Sequence, residues 1–150
     1  MIGLISDTHG LLRDEAAAAL QGSEHIIHAG DVGKPEILQR LRAIAPLVAV
    51  RGNIDTGAWA EALPETAVAE IAGIRIFVLH DVKQLRLDPA ALGYDLVVSG
   101  HSHQPGETRR GRVLYVNPGS AGPRRFKLPI TVAKLHTEVR PFRVEFVSVG

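Results

Sequence analysis

The stretch DLVVSGHSH (95–103) decides how this chain is read. Residues 95–99 form a short apolar, β-branched run, the composition of a buried strand. The run ends at Gly100, and two imidazoles follow, His101 and His103, with one serine between them. A lone histidine in such a place is usually a packing or surface residue, since histidine has many roles. A pair at the end of a buried strand calls for partners at the ends of other strands.

Those partners exist. IGLI (2–5) is followed by Asp7 and His9, HIIHA (25–29) by Gly30 and Asp31, and LVAV (47–50) by Arg51, Gly52 and Asn53. IRIFVL (74–79) is followed by His80, and VLYV (113–116) by the turn sequence NPGS (117–120). Helical patterns separate the first three runs. DEAAAALQ (14–21) is alanine-rich, which suffices for a helix, and Gly22 closes it. Pro35 suits a first helical turn, and Ile37, Leu38, Leu41, Ile44 and Ala45 then form one apolar face that Pro46 stops.

This βαβαβ order implies parallel strands joined by right-handed crossovers. The second half reads mostly as strand. TAVAEIAGIRIFVL (66–79) makes two strands about Gly73, RRGR (109–112) a hairpin turn, and residues 130–149 two strands around Pro141. Asp88 and Pro89 are expected to open a short helix closed by Gly93. Nearly ten strands are too many for one flat sheet, so the expectation is an α/β fold of two packed sheets with helices outside.

Composition narrows the function. A chain of 150 residues is long enough for one domain, 1–150, with its own core. Cysteine is absent, which excludes disulfides and thiolate zinc sites and fits a reducing cytoplasm. No apolar stretch approaches the ~18–20 residues of a membrane helix, and the first residues lack the pattern of a signal peptide, so no membrane partner is expected. A net charge of +1 and 5% aromatic residues argue against a nucleic-acid partner and against a nuclease, which needs basic grooves and stacking platforms.

Each strand-end group has an ordinary alternative as turn chemistry, because Gly, Asp and Asn are common turn residues. Turns have no use for histidines at 9, 80, 101 and 103 in the company of carboxylates. In open α/β sheets ligands bind at the carboxyl ends of the strands. Nitrogen and oxygen donors without sulfur suit Mn²⁺, Fe²⁺, Zn²⁺, Co²⁺ or Ni²⁺. Seven candidate ligands exceed the needs of one ion and suit a pair of ions about 4 Å apart.

The ordered set DTH (7–9), GD (30–31), GNID (52–55), His80, GHSH (100–103) and NPGS (117–120) resembles the calcineurin-like metallophosphoesterases, specifically their compact bacterial and archaeal phosphodiesterase branch. The resemblance implies a four-layer α/β/β/α sandwich of two mixed sheets. It implies that Asp7, His9 and His103 hold a first metal and Asn53, His80 and His101 a second, with Asp31 bridging, and it assigns Asp31, Asn53 and His101 to catalysis. The cofactor is then two divalent ions, manganese first, with iron, zinc, nickel or cobalt as alternatives. A hydroxide shared by the ions attacks the phosphorus of a small phosphate-ester substrate. The resemblance also implies a homodimer or homotetramer as the assembly to expect.

Two positions depart from the family. Ile54 stands where many relatives carry the histidine that protonates the leaving alcohol, which implies leaving groups that need little protonation, such as aryl esters. The loop after His80 reads HDVKQ (80–84) where relatives read His-Gly-His; Asp81 is read as a solvated loop residue, with support of a ligating histidine as the alternative. Arg124 and Arg125 are candidates for holding the substrate phosphate in fork geometry, with Arg51 and Lys83 as weaker ones. His28 is read as structural, and His25 and His136 as surface residues. The other class of reading is a scaffold that keeps the fold without the chemistry, as in the retromer subunit of this family. Here every ligand position is filled.

Overall fold

Ten strands and three helices follow one another in a computed structural model that describes all 150 residues. The strands are β1 (Ile2–Ile5), β2 (His25–His28), β3 (Leu47–Ala49), β4 (Thr66–Ile71), β5 (Ile74–Leu79), β6 (Leu96–Val98), β7 (Gly106–Arg110), β8 (Val113–Asn117), β9 (Thr131–His136) and β10 (Arg143–Ser148). The helices are α1 (Asp14–Ala19), α2 (Pro35–Arg42) and α3 (Ala58–Glu61), with a single 3₁₀ turn at Val82–Gln84. The strands form two five-stranded mixed sheets, ordered β10-β9-β1-β2-β3 and β4-β5-β6-β8-β7. The three strands of the βαβαβ half, β1, β2 and β3, pair in parallel as expected.

Strand alternation divides the apolar residues between two cores. Ile2 and Leu4 of β1 and Ile27 of β2 face the second sheet and meet Ile74, Ile76, Val78, Leu96 and Val98 there. Ile5 and Ile26 face the other way, onto Ala16 and Leu20 of the first helical region and Ile37, Leu38 and Leu41 of α2. Helix α2 carries Pro35 at its start, Glu36 in its first turn and Arg40 and Arg42 in its last, each on the side that the helix dipole favours. The outer cover of the second sheet is thin: the 3₁₀ turn, the following loop, and a small cluster of Phe77, Leu79, Tyr94, Val97 and Val113. The α/β sandwich is therefore unequal, with its helices on the first sheet.

Two local expectations change, and one strand is unforeseen. The segment from Asp88 to Gly93 forms successive turns instead of a helix, closed by Leu92 N–H to Asp88 O and Tyr94 N–H to Pro89 O. Only Ala90, Ala91 and Leu92 separate the opening Pro89 from the closing Gly93, fewer than one turn of α-helix. Arg109 and Arg110 belong to β7, and the hairpin turn lies at Gly111 and Arg112. Strand β7 itself, GETRR, is exposed along its whole length. It is an edge strand with no buried face, so no alternation marks it, and its charged side chains protect that edge from further pairing.

Candidate metal centre

The carboxyl ends of β1, β2, β3, β5 and β6 come together at the seam between the two sheets. Backbone pairing continues beyond the strands and aligns their loops. Asp7 N–H donates to Gly30 O at 3.0 Å, His9 N–H to Asp31 O at 2.9 Å, and Gly100 N–H to His80 O at 2.8 Å. Two bonds tie the sheets across the seam: His80 Nδ1 to Ala29 O at 2.8 Å, and His101 N–H to the Asp7 Oδ2 carboxylate at 3.1 Å.

Close approach explains two of the glycines. A Cβ on Gly100 would fall on the Ser6 hydroxyl and the Asp7 carboxylate, and one on Gly52 would fall on Asp31. The loops reach this closeness through unusual backbone. Of the seven non-glycine residues with positive φ, five are candidate ligands: Asp7 (55°), His9 (47°), Asp31 (56°), His101 (72°) and His103 (64°). Left-handed conformations cost on the order of 1–3 kcal/mol each in such residues and collect where function requires them.

Each carboxylate is half committed. Asp7 Oδ2 accepts from Ser6 Oγ at 2.6 Å and from His101 N–H, while its Oδ1 lies 3.3 Å from His103 Nε2, 3.7 Å from His9 Nε2 and 3.8 Å from His80 Nε2. Asp31 Oδ1 accepts from Ile54 N–H at 3.0 Å, while its Oδ2 lies 3.2 Å from His80 Nε2 and 3.5 Å from His9 Nε2. Two groups of ligand atoms result, Asp7–His9–His103 and Asp7–Asp31–His80. Six buried side-chain polar atoms in the protein lack a hydrogen-bond partner, and four of them are here: Asp7 Oδ1, His9 Nε2, His80 Nε2 and His103 Nδ1. Buried polar atoms are almost always satisfied, so a cluster of orphans signals a missing counterpart. Two carboxylates ringed by imidazole nitrogens are the donor set of a divalent cation.

The electrostatics agree. Burial would raise the Asp7 carboxyl, but the imidazoles of His103 and His9 and the Ser6 hydroxyl outweigh it and hold it well below the usual carboxylate range. Asp31 is likewise lowered: burial opposes ionisation, and His80 and the Ile54 N–H overcome it. Burial pushes His80 down, but Asp31 and Asp7 raise it on balance. Its Nδ1–H is committed to Ala29 O, so Nε2 is the atom turned toward the carboxylates.

His101 and Asn53 sit at the outer edge of this cluster. The His101 ring stands edge-on to His80 with centroids 5.2 Å apart and is nearly half exposed. Asn53 is exposed and borders, with His80, a cleft beside the cluster. Asp81 caps the 3₁₀ turn: one oxygen accepts from Lys83 N–H at 3.0 Å, and the other lies 3.8 Å from His101 Nε2, beyond hydrogen-bond distance. Arg124 turns back on its own loop and donates to Leu128 O at 3.4 Å, and Arg125 is exposed in the same loop. The guanidiniums that border the cleft are Arg51 and Arg86.

Two further residues support the ligand loops: Asp55, the last residue of the GNID stretch, and His28, read from the sequence as structural. Asp55 is buried and accepts from Val32, Gly33 and Gly52 N–H at 2.9–3.1 Å, which locks the Asp31 loop to the Asn53 loop. His28 is fully buried beneath the same loops; its Nδ1 accepts from Gly30 N–H and its Nε2 meets Thr8 Oγ1, both at 3.0 Å.

Residues 1–140 match the family model of the calcineurin-like phosphoesterase superfamily domain. A probable metallophosphoesterase of Methanothermobacter thermautotrophicus is 34% identical over all of this chain and 93% of its own length. A phosphodiesterase of Methanocaldococcus jannaschii is 28% identical over 95% of this chain and 96% of its own length. Among solved structures, Vps29 of Chaetomium thermophilum superposes with a TM-score of 0.74 at 20% identity, covering 97% of this chain and 96% of that one.

Proposed function

This chain belongs to the calcineurin-like phosphoesterase superfamily, and from that membership we propose that it is a phosphodiesterase that works with two divalent cations. The observation that carries the reading is the group of three unpartnered buried atoms, Asp7 Oδ1, His9 Nε2 and His80 Nε2, that face one another beside Asp31 Oδ2. Asp7, His9 and His103 would hold one cation and Asn53, His80 and His101 the other, with Asp31 between them. Bound there, the ions supply Lewis acidity, which brings water ionisation toward neutral pH and offsets charge on the phosphoryl oxygens.

The remaining work falls to the chain. The Ser6 hydroxyl and the His101 N–H hold one Asp7 oxygen so that the other faces the imidazoles. The Ile54 N–H does the same for Asp31. Ala29 O orients His80, a backbone carbonyl fixing the tautomer of a ligating imidazole. The Ile54 side chain is exposed at this edge and has no proton to donate. Esters with good leaving groups, aryl esters above all, are therefore the favoured substrates.

Purified protein incubated with Mn²⁺ and bis(4-nitrophenyl) phosphate should release nitrophenolate, and Asp31→Ala should remove that activity. Absence of hydrolysis with Mn²⁺, Fe²⁺, Zn²⁺, Co²⁺ and Ni²⁺ alike would overturn the reading and leave a scaffold.

A further inference from the structure

Beside the metal centre the surface opens into a cleft of about 680 Å³, with His80 and Asn53 at its border. That volume lies within the ~300–1,000 Å³ of small-molecule sites. Its apolar surface comes from Phe77 and Leu79 on the outward face of β5 and from Leu85 and Leu87 in the segment that follows. Phe77 and Leu79 are themselves packed against Tyr94, Val97 and Val113, so this wall is already ordered. Arg51 and Arg86 supply positive charge at the cleft. Arg51 is occupied by Glu65 at 3.2 Å, whereas Arg86 is exposed and has no carboxylate partner.

A phosphoryl group seated among the metal ligands leaves the apolar wall of Phe77, Leu79, Leu85 and Leu87, and Arg86 beside it, without a use. We propose that the cleft receives one arm of the substrate: an apolar or aromatic ring attached to the phosphate, carrying a further anionic group that meets Arg86. The substrate class is thus an organic phosphate ester with a ring-bearing, anionic arm. The inference rests on the reading that the phosphoryl group binds at the metal centre. The ring gains from leaving water against Leu85, Leu87 and Phe77, and the guanidinium gains a charge-assisted hydrogen bond.

Calorimetry on the manganese-loaded protein tests this without relying on turnover. The probes are methyl phosphate, phenyl phosphate and 4-carboxyphenyl phosphate. Phenyl phosphate should bind roughly tenfold more tightly than methyl phosphate, and the carboxylate should add a further few-fold. Thr66→Trp, which fills the cleft from β4, should bring the phenyl-to-methyl ratio toward one. Gln84→Trp should do the same from the 3₁₀ turn, so that a folding defect in either variant is recognised. Arg86→Gln should erase the gain from the carboxylate and keep the gain from the ring. Equal affinity for methyl and phenyl phosphate, or a ratio that neither tryptophan moves, would overturn the proposal. If phenyl phosphate binds in a Thr66-sensitive way and methyl phosphate does not bind, the cleft stands and phosphate binding at the metals falls. If no probe binds, both fall.

Discussion

Acidifying the metal-free protein from about pH 7.5 to about pH 4 should remove roughly 3 kcal/mol of stability through His28 alone. His28 is fully buried, and its two nitrogens have fixed roles. Thr8 Oγ1 spends its proton on Val32 O at 2.8 Å, so it accepts from His28 Nε2–H, and Nδ1 accepts from Gly30 N–H. The neutral ring is satisfied at both ends. A second proton would sit on Nδ1, facing the Gly30 N–H. Burial accordingly lowers the His28 pKa from 6.5 to about 4, although Asp7, Asp55 and Asp31 pull it upward.

The sign follows from which state binds the proton. An unfolded histidine protonates near pH 6.5, and the native one only near pH 4. Between those values the unfolded chain gains protons that the native chain refuses, so stability falls as the pH falls through this window. A difference of about 2.5 units at about 1.4 kcal/mol per unit sets the magnitude. Urea unfolding would be followed at several pH values in EDTA, for the wild type and for His28→Gln, which cannot titrate. The wild type should lose about 3 kcal/mol more than the variant between the two extremes. Parallel pH profiles would refute the claim that His28 is held neutral beneath the ligand loops.

Metal affinity should weaken as the pH falls through the raised pKa of His80, because proton and cation compete for Nε2. Manganese titrations at about pH 8 and about pH 6 check this; equal affinities would count against His80 as a ligand. Gly100→Ala should lower the melting temperature and the manganese content together, since its methyl group would displace Ser6 and Asp7, at a cost of ~1–3 kcal/mol. Gly106→Ala, where nothing lies within 4 Å, is the control and should melt like the wild type. His80→Ala should cost more phosphodiesterase activity than Arg124→Ala, because the His80 ring stands among the carboxylates while Arg124 is bonded within its own loop; equal losses would argue against the metal assignment.

Much of this protein can be read without coordinates. Apolar, β-branched runs such as 2–5, 25–28 and 74–79 are strands wherever they are buried, because both of their faces need apolar cover. The helix of 35–42 declares itself through Pro35 and its apolar spacing. The candidate ligands are legible for a related reason: each stands just past a recognisable strand, and parallel strands bring their carboxyl ends to one edge. What alternation and turn residues do not encode was decided by tertiary contact. Strand β7 exists because β8 pairs with it, not because of any pattern in GETRR. At 88–93 turns stand where a helix is expected, because less than one helical turn separates Pro89 from Gly93. The left-handed backbone at five ligands, the three amides gathered by Asp55, and the cleft between β5 and the loop after it all depend on segments far apart in the chain. Local sequence specifies periodicity and breaks. Which orphaned atoms face one another is settled only when two sheets close on a shared seam.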